Sequence, residues 1–380
     1  MGVCMGDATQ DTGFDLVVVG AGIVGLAAAY AARCQGLRVA VVERQARSVG
    51  ASVRNFGFVT VTGQRAGDHW RRALRTREVW GEVAPRAGIA VLQHGLCVLA
   101  QRPEAMAVLE AFATTEMGQA CELLTAAGTA QRYPFLGQGV GALYSPHECR
   151  VESREAIPLL ARWLQEDMGV VFYWNTAVQG IDLPVIDTSR GRLRARYCIV
   201  CPGHDLNSLF PEETARAKAR LCTLQMLRVK PMQPLALPAP VMSDLSLVRY
   251  EGYAALPQAQ ALHARLLQEQ PEHLRQGVHL IAVQSADGSL VVGDSHVYDG
   301  AEAPFAHAAT DELILQELQR VLPMPGLQVL ERWTGTYASA DDVVFKSSPA
   351  PGVALGIVTG GTGASTGFAF AEELLALALA

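Results

Sequence analysis

The stretch Phe14-Asp15-Leu16-Val17-Val18-Val19-Gly20-Ala21-Gly22-Ile23-Val24-Gly25 decides the fold. Its β-branched apolar run predicts a strand buried on both faces of a parallel sheet. The glycines form a GxGxxG turn, and an Ala-rich helix is expected from about Ile23 to Cys34. Gly20 serves the tight turn, Gly22 lets backbone approach a pyrophosphate, and Gly25 lets helix and strand pack closely. A second strand, Leu37 to Val42, ends at Glu43. That is near the roughly 20-residue separation expected of a carboxylate on a ribose 2′-hydroxyl. Strand, turn, helix, strand and acid in this order point to a bound dinucleotide. An ordinary βαβ unit with an empty turn is the plain alternative.

The chain of 380 residues is long enough for two lobes. Half of its residues are hydrophobic, 18% are charged, and mean hydropathy is +0.17. This composition fills cores and excludes intrinsic disorder for the body of the chain. Lys and Arg number 31 against 37 Asp and Glu, a net charge of −6, so no global field draws nucleic acid. The eight cysteines are scattered and read as reduced thiols in a cytoplasmic setting. Met1 to Gly13 lacks the basic and apolar regions of a secretion signal, so none is expected. Two charge-free stretches, Leu16 to Ala32 and Ser347 to Ala371, are broken by glycines or prolines and read as buried soluble structure rather than membrane spans.

No second GxGxxG follows the first, as a flavin reductase using a nicotinamide would require. Instead Glu43-Arg44 leads into a small polar loop, Ser48-Val49-Gly50-Ala51-Ser52-Val53-Arg54-Asn55-Phe56-Gly57-Phe58, suited to wrapping a pyrophosphate and a ring system. A later strand ends Tyr197-Cys198-Ile199-Val200-Cys201-Pro202-Gly203-His204, and the chain closes with Gly352 to Gly356, then Gly360-Gly361-Thr362-Gly363-Ala364-Ser365-Thr366-Gly367 and a final helix. In these three blocks the sequence resembles the FAD-dependent amine oxidoreductases of the D-amino acid oxidase, glycine oxidase and sarcosine oxidase family. Arg54-Asn55-Phe56-Gly57, Gly63-Gln64 and Gly293-Asp294-Ser295-His296 look most like a bacterial subfamily linked to phosphonate breakdown.

The resemblance implies an α/β fold: a Rossmann-like FAD domain built on a parallel sheet, plus an antiparallel-sheet substrate domain. The FAD domain is expected at 14–80, 145–215 and 330–380, and the substrate domain at 81–144 and 216–329. FAD contacts are implied at Gly20, Gly22, Ile23, Val24, Gly25, Glu43, Arg44, Ala51, Ser52, Asn55, Phe56, Gly57, Val178, Cys201 and Gly203. Further contacts are implied at Gly361, Thr362, Gly363, Ala364, Ser365 and Thr366, where a helix start stabilises the anion that forms on the reduced flavin.

Pattern alone supports much of this layout. Val170 to Val178 reads as a strand after a helix at about Arg154 to Asp167, and the prolines between Lys230 and Pro240 mark a crossing between lobes. Leu245 to Tyr250, His279 to Val283 and Ser289 to Val292 read as antiparallel strands, the last two joined by an Asp287-Gly288 turn. The arginine-rich run Arg65 to Arg77 reads as an amphipathic helix with a solvated basic face, rather than as a nucleic-acid site.

A phosphonate dianion needs convergent cations. Arg54, Arg249, Arg332 and Lys346 are the candidates, with ordinary salt bridges as the alternative for each. Asn55, Tyr250 and Tyr253 are further substrate-side candidates, the tyrosines as aromatic walls or as core. His296 serves either substrate contact or structure. Lys346 is also a candidate for promoting oxygen reduction, by position in the family. Cys198 and Cys201 form a CxxC, yet residues three apart in a strand face opposite ways, so no redox pair or metal half-site is expected. No other metal-ligand spacing is present.

The expected reaction is oxidation of 2-aminoethylphosphonate or its N-methyl derivative by hydride transfer to flavin N5. The resulting imine hydrolyses to phosphonoacetaldehyde, and O2 is reduced to H2O2. The rivals are a glycine, sarcosine or D-amino-acid oxidase or dehydrogenase, a flavin-binding relay or assembly subunit, and a nicotinamide dehydrogenase.

Overall fold

The computed structural model describes residues 13–380, so the expected lack of a secretion signal lies mostly outside the described residues. The strand Gly13–Val19 pairs in parallel with Val39–Val42 on one side and with Gly191–Val200 on the other. Val171–Tyr173 and Val353–Gly360 extend this parallel sheet at its two edges. Alternate residues of the same strands enter different cores. Leu16, Val18, Val39 and Val41 pack under the helices Ile23–Cys34, Asp68–Arg86, Ser153–Glu166 and Gly363–Leu379. Val17, Ala40, Val42 and Cys198 pack on the opposite face with Ile186 and Ala195. An apolar run with no polar alternation is what such two-sided burial demands.

The first helix begins and ends where its residues predict, at Ile23–Cys34. Gly20 has φ +100°, and a Cβ there would lie 2.5 Å from the Cys201 carbonyl oxygen. A Cβ on Gly25 would lie 1.9 Å from the Gly20 carbonyl oxygen. Both positions therefore exclude any side chain.

The same 17-stranded sheet continues into an antiparallel region. Arg220–Pro231 pairs antiparallel with Leu290–Gly293, Val297–Asp299 and the long strand Leu327–Ala350. That long strand continues past Ser339 to pair with Val353–Gly360, so one segment joins the antiparallel and parallel regions of the sheet. The expected hairpin at Asp287-Gly288 is present, with Gly288 at φ +77°. Arg65 to Arg77 enters the helix Asp68–Arg86, whose Val79, Trp80 and Val83 are buried while Arg72 and Arg75 pair with Glu373 and Glu372.

Two expectations are corrected. Leu245 to Tyr250 is not a strand but lies mostly in a 3-10 helix, Asp244–Val248. Its Leu/Ser alternation has no wet face, because Asp244 and Ser246 are as buried as Leu245 and Leu247. Asp244 instead anchors the turn by accepting hydrogen bonds from Arg102 at 2.8 and 3.0 Å. The strand expected over Val170 to Val178 breaks after Tyr173 at a turn where Asn175 takes φ +52°. Among the described residues no helix is long and apolar enough to cross a membrane.

A buried charge cluster ties strands of the sheet together. One Glu152 oxygen accepts from Arg150 at 2.9 Å, Arg228 at 3.3 Å and Ser285 at 2.6 Å. Burial alone would raise the Glu152 carboxyl, but Arg150, the Ser285 hydroxyl and Arg228 together hold it below the usual value of 4.5. The stability this supplies is present above that pH and is lost as pH falls through the lowered value. Glu152→Gln is expected to destabilise the protein by about 3–5 kcal/mol, because two arginines lose their buried counter-charge. Denaturant unfolding should also show a shallower loss of stability in acid for the variant than for the parent.

Candidate functional site

A cavity of about 930 Å³ runs from the carboxyl ends of the parallel strands to the inner face of the antiparallel sheet. Its dinucleotide end is built by the first turn. Gly20, Gly22, Ile23, Val24 and Gly25 line it, with Glu43, Arg44, Ala51 and Ser52 opposite. Glu43 accepts from the Ala21 amide at 2.9 Å with one oxygen and from the Gln45 amide at 2.9 Å with the other. Ser52 Oγ accepts from the Ile23 amide at 2.9 Å. Arg44 pairs with Asp205 at 2.5 Å. Val178, Cys201 and Gly203 complete this end.

Farther in, the start of the last helix faces the cavity through Gly361, Thr362, Gly363, Ala364 and Ser365. Helix geometry leaves its first amides without intrahelical partners. Ser365 Oγ accepts from the Thr60 amide at 2.8 Å, and Thr362 Oγ1 lies 3.1 Å from His69 Nε2. His69 Nδ1 is buried without a partner among the described residues. Burial, then the nearby Arg72 charge, pull this imidazole down to about 4, so it is neutral at physiological pH.

The third part of the cavity is polar and aromatic. Arg249 donates to Tyr298 Oη at 3.1 Å and to Tyr337 Oη at 3.4 Å. Arg54 lines the cavity and donates weakly to the Thr334 carbonyl at 3.4 Å. Arg220 sits over the Tyr298 ring, 4.5 Å from its centroid. Among the described residues none of these three arginines is ion-paired. Tyr250 and His296 are also on this wall, as are Asn55 and Phe56 nearer the middle. Asn55 is fully engaged, donating to the Ala51 carbonyl and accepting from Gly57 and Ser153.

Five predicted positions lie off the cavity. Lys346 donates to Glu373 at 2.6 Å, because strand alternation turns it toward the last helix. Arg332 pairs with Asp311 at 2.9 Å. Tyr253 is core, its ring 4.5 Å from that of Phe112. Gly57 is a backbone link whose carbonyl accepts from Val151, and Thr366 donates to the Thr362 carbonyl one turn inside the helix. Cys198 and Cys201 pack into cores on opposite faces of the sheet. Burial raises both thiols, Cys201 to about 12.

The family model for FAD dependent oxidoreductases matches residues 15–377. The chain belongs to that family. Glycine oxidase from Bacillus cereus superposes with a TM-score of 0.77 at 16% identity, covering 96% of this chain and 95% of that one. L-proline dehydrogenase from P. horikoshii gives 0.77 at 17% identity, with 96% and 93% covered. L-alpha-glycerophosphate oxidase from Mycoplasma pneumoniae, with FAD bound, gives 0.74 at 16% identity, with 97% and 95% covered. No curated protein matches the sequence. At these identities the likeness is one of fold.

The residues suit the cofactor of this FAD-dependent oxidoreductase. The glycine turn admits no side chain, a helix start opens onto the cavity, and His69 Nδ1 awaits a partner. Sequence reading missed His69, His279, Asp294, Tyr298 and Tyr337. Asp294 lay inside a motif already singled out, but nothing in the spacing joins it to His279. The fold brings donor atoms of His279, Asp294 and His296 within 4.8 Å of one another, a grouping that the absence of any metal-type spacing did not anticipate.

Two outcomes follow from this placement. Glu43→Ala should weaken FAD retention about tenfold, measured as flavin fluorescence released on dilution, since it frees two amides that the carboxylate orders. Lys346→Met should leave the rate of flavin reoxidation by O2 within about twofold of the parent in stopped flow, as expected of a side chain outside the cavity.

Proposed function

We propose that this FAD-dependent oxidoreductase oxidises the carbon–nitrogen bond of a small amine carrying an anionic group. The class meant is 2-aminoethylphosphonate and its N-methyl form, with O2 as electron acceptor. The observation that carries the reading is Arg249, a half-buried guanidinium on the cavity wall whose hydrogen-bond partners are two tyrosine hydroxyls and which pairs with no carboxylate among the described residues. A buried cation left without a counter-charge is costly, and a bound anion relieves that cost. Arg54 and Arg220 line the same cavity, also without ion pairs. Half-buried Arg249 and Arg54, with the exposed Arg220, favour a dianion over the single carboxylate of glycine or sarcosine.

Bound FAD supplies the acceptor for an electron pair. The chain's own part is positioning and field. Arg249 orients the anionic arm, and Tyr298 and Tyr337 fix the guanidinium plane. The helix start at Gly363 and the His69 imidazole line the cavity and would stabilise negative charge on the bound cofactor. The oxidised product is an imine that water hydrolyses to an aldehyde.

Anaerobic stopped flow near 450 nm tests this with 2-aminoethylphosphonate, N-methyl-2-aminoethylphosphonate, sarcosine, glycine and D-alanine in parallel. Rapid bleaching by the phosphonates is expected. Preference for the carboxylates would move the protein to the amino-acid oxidases, and no bleaching by any amine would favour a relay or assembly role. Arg249→Met should raise the half-saturating phosphonate concentration about 10- to 100-fold through loss of a charged hydrogen bond.

A further inference from the structure

His279, Asp294 and His296 meet on the cavity wall and are 4, 5 and 7% exposed. His279 Nε2 lies 3.1 Å from Asp294 Oδ1, and His296 Nε2 lies 3.6 Å from Asp294 Oδ2. The two imidazole rings stack with centroids 5.2 Å apart. Their partners assign the hydrogens. His296 Nδ1 is 2.9 Å from the Gly277 carbonyl oxygen, and a carbonyl only accepts, so Nδ1 carries the hydrogen. In the neutral ring Nε2 is then a lone pair facing a carboxylate oxygen. That edge lacks one hydrogen, and a proton placed there turns repulsion into a charge-assisted hydrogen bond.

The groups facing His296 explain why the edge stays unprotonated at rest. They are Asp294, His279, Arg249, Tyr250, Tyr298 and Tyr337, with Cys222 beside Tyr337. Of these Arg249 is the permanent cation and Asp294 the one carboxylate. Burial first, then the Arg249 charge, pull His296 down to about 3. Asp294 stays ionised, because its histidine and arginine neighbours outweigh burial.

Resting on the reading of a substrate with both an anion and an ammonium group, we infer that an anion docked on Arg249 turns the His296–Asp294 edge into the acceptor of the substrate's ammonium proton. The anion neutralises Arg249 and lifts its repulsion of His296, so Asp294 can stabilise an imidazolium. In the step an ammonium N–H bond breaks, its electron pair stays on the amine nitrogen, and an N–H bond forms at His296 Nε2. Charge is conserved, and no outside base is required. His279 is a positioning residue: its Nε2 lies beside Asp294 Oδ1, while its Nδ1 lies 3.1 Å from Ser246 Oγ. An amine without an anionic arm leaves Arg249 charged and keeps its own proton, so the relay also selects substrates.

The test uses FAD-loaded protein and ethanesulfonate, a tetrahedral anion with no amine and no proton to exchange near neutral pH. The flavin spectrum reports binding, and calorimetry in two buffers of different ionisation enthalpy at pH 7 counts protons. Net proton uptake is expected for the parent, falling to near none in His296→Asn and in Asp294→Asn. Bound FAD and the thermal midpoint verify that each variant is folded. With 2-aminoethylphosphonate, the pH midpoint of anaerobic bleaching should move up by about two units or more in His296→Asn, toward the free ammonium value. A spectral change without proton uptake overturns the relay and leaves the anion site standing. If ethanesulfonate gives no spectral change and the phosphonates no bleaching, the reading of the substrate itself fails. One equivalent of zinc retained through dialysis by the parent and lost in His296→Asn would overturn the relay by placing a metal on this edge.

Discussion

The close approach of the first helix to the first strand sets the position of everything else. A Cβ on Gly25 would fall within 1.9 Å of the Gly20 carbonyl oxygen, so the helix seats on the sheet only because both residues are bare. Seated there, its start lies at the carboxyl edge of the parallel strands, where Glu43, Ser52 and Cys201 also arrive. Crevices at that edge are where doubly wound sheets hold ligands. The last helix docks against the first, and the isoleucine that opens the first helix contacts Gly363 and Gly367 of the last. Two helix starts thereby open onto one cavity, the arrangement an anionic, two-ended cofactor needs.

The other end of the cavity brings charged groups together from several elements. Arg54, Arg220 and Arg249 have no salt-bridge partner among the described residues and share the lining with the buried Asp294, two imidazoles pulled toward neutrality, and the carboxylates of Glu302 and Asp341. The long strand Leu327–Ala350 joins this wall to the cofactor lobe. It carries Tyr337 opposite Arg249 and then crosses into pairing with Val353–Gly360. The strand links the antiparallel and parallel regions through backbone hydrogen bonds rather than through a flexible linker.

Much of the fold was legible because local rules and tertiary packing agree there. The two-sided apolar run of Leu16 to Val19, the helix limits at Ile23–Cys34 and the Asp287-Gly288 turn each follow from residue type and period. Reading failed where buried polar groups imitate a pattern. Leu245 and Leu247 alternate with Ser246 as in a half-wet strand, yet Asp244 meets Arg102 in the interior and winds the segment into a 3-10 turn. Lys346 and Arg332 sat in the right segments, but strand alternation sends their side chains to Glu373 and Asp311. Tyr250 precedes the short helix Glu251–Ala254 in extended conformation and lines the cavity, whereas Tyr253 lies inside that helix and packs in the core against Phe112.

What the sequence by itself determined is the dinucleotide end, because a GxGxxG turn between a buried strand and a helix is contiguous and its glycines are demanded by backbone contact. The helix start near Gly363, whose free amides favour an anion, belongs to the same class of local signal. The polar and aromatic end of the cavity was decided only by tertiary structure. Arg249, His279, Asp294, Tyr298 and Tyr337 come from separate elements, and no spacing along the chain encodes their meeting. Their chemistry exists only where pairing of Arg220–Pro231 with its neighbours closes the wall, since charge, burial and hydrogen-bond partner are properties of that meeting and not of any one residue.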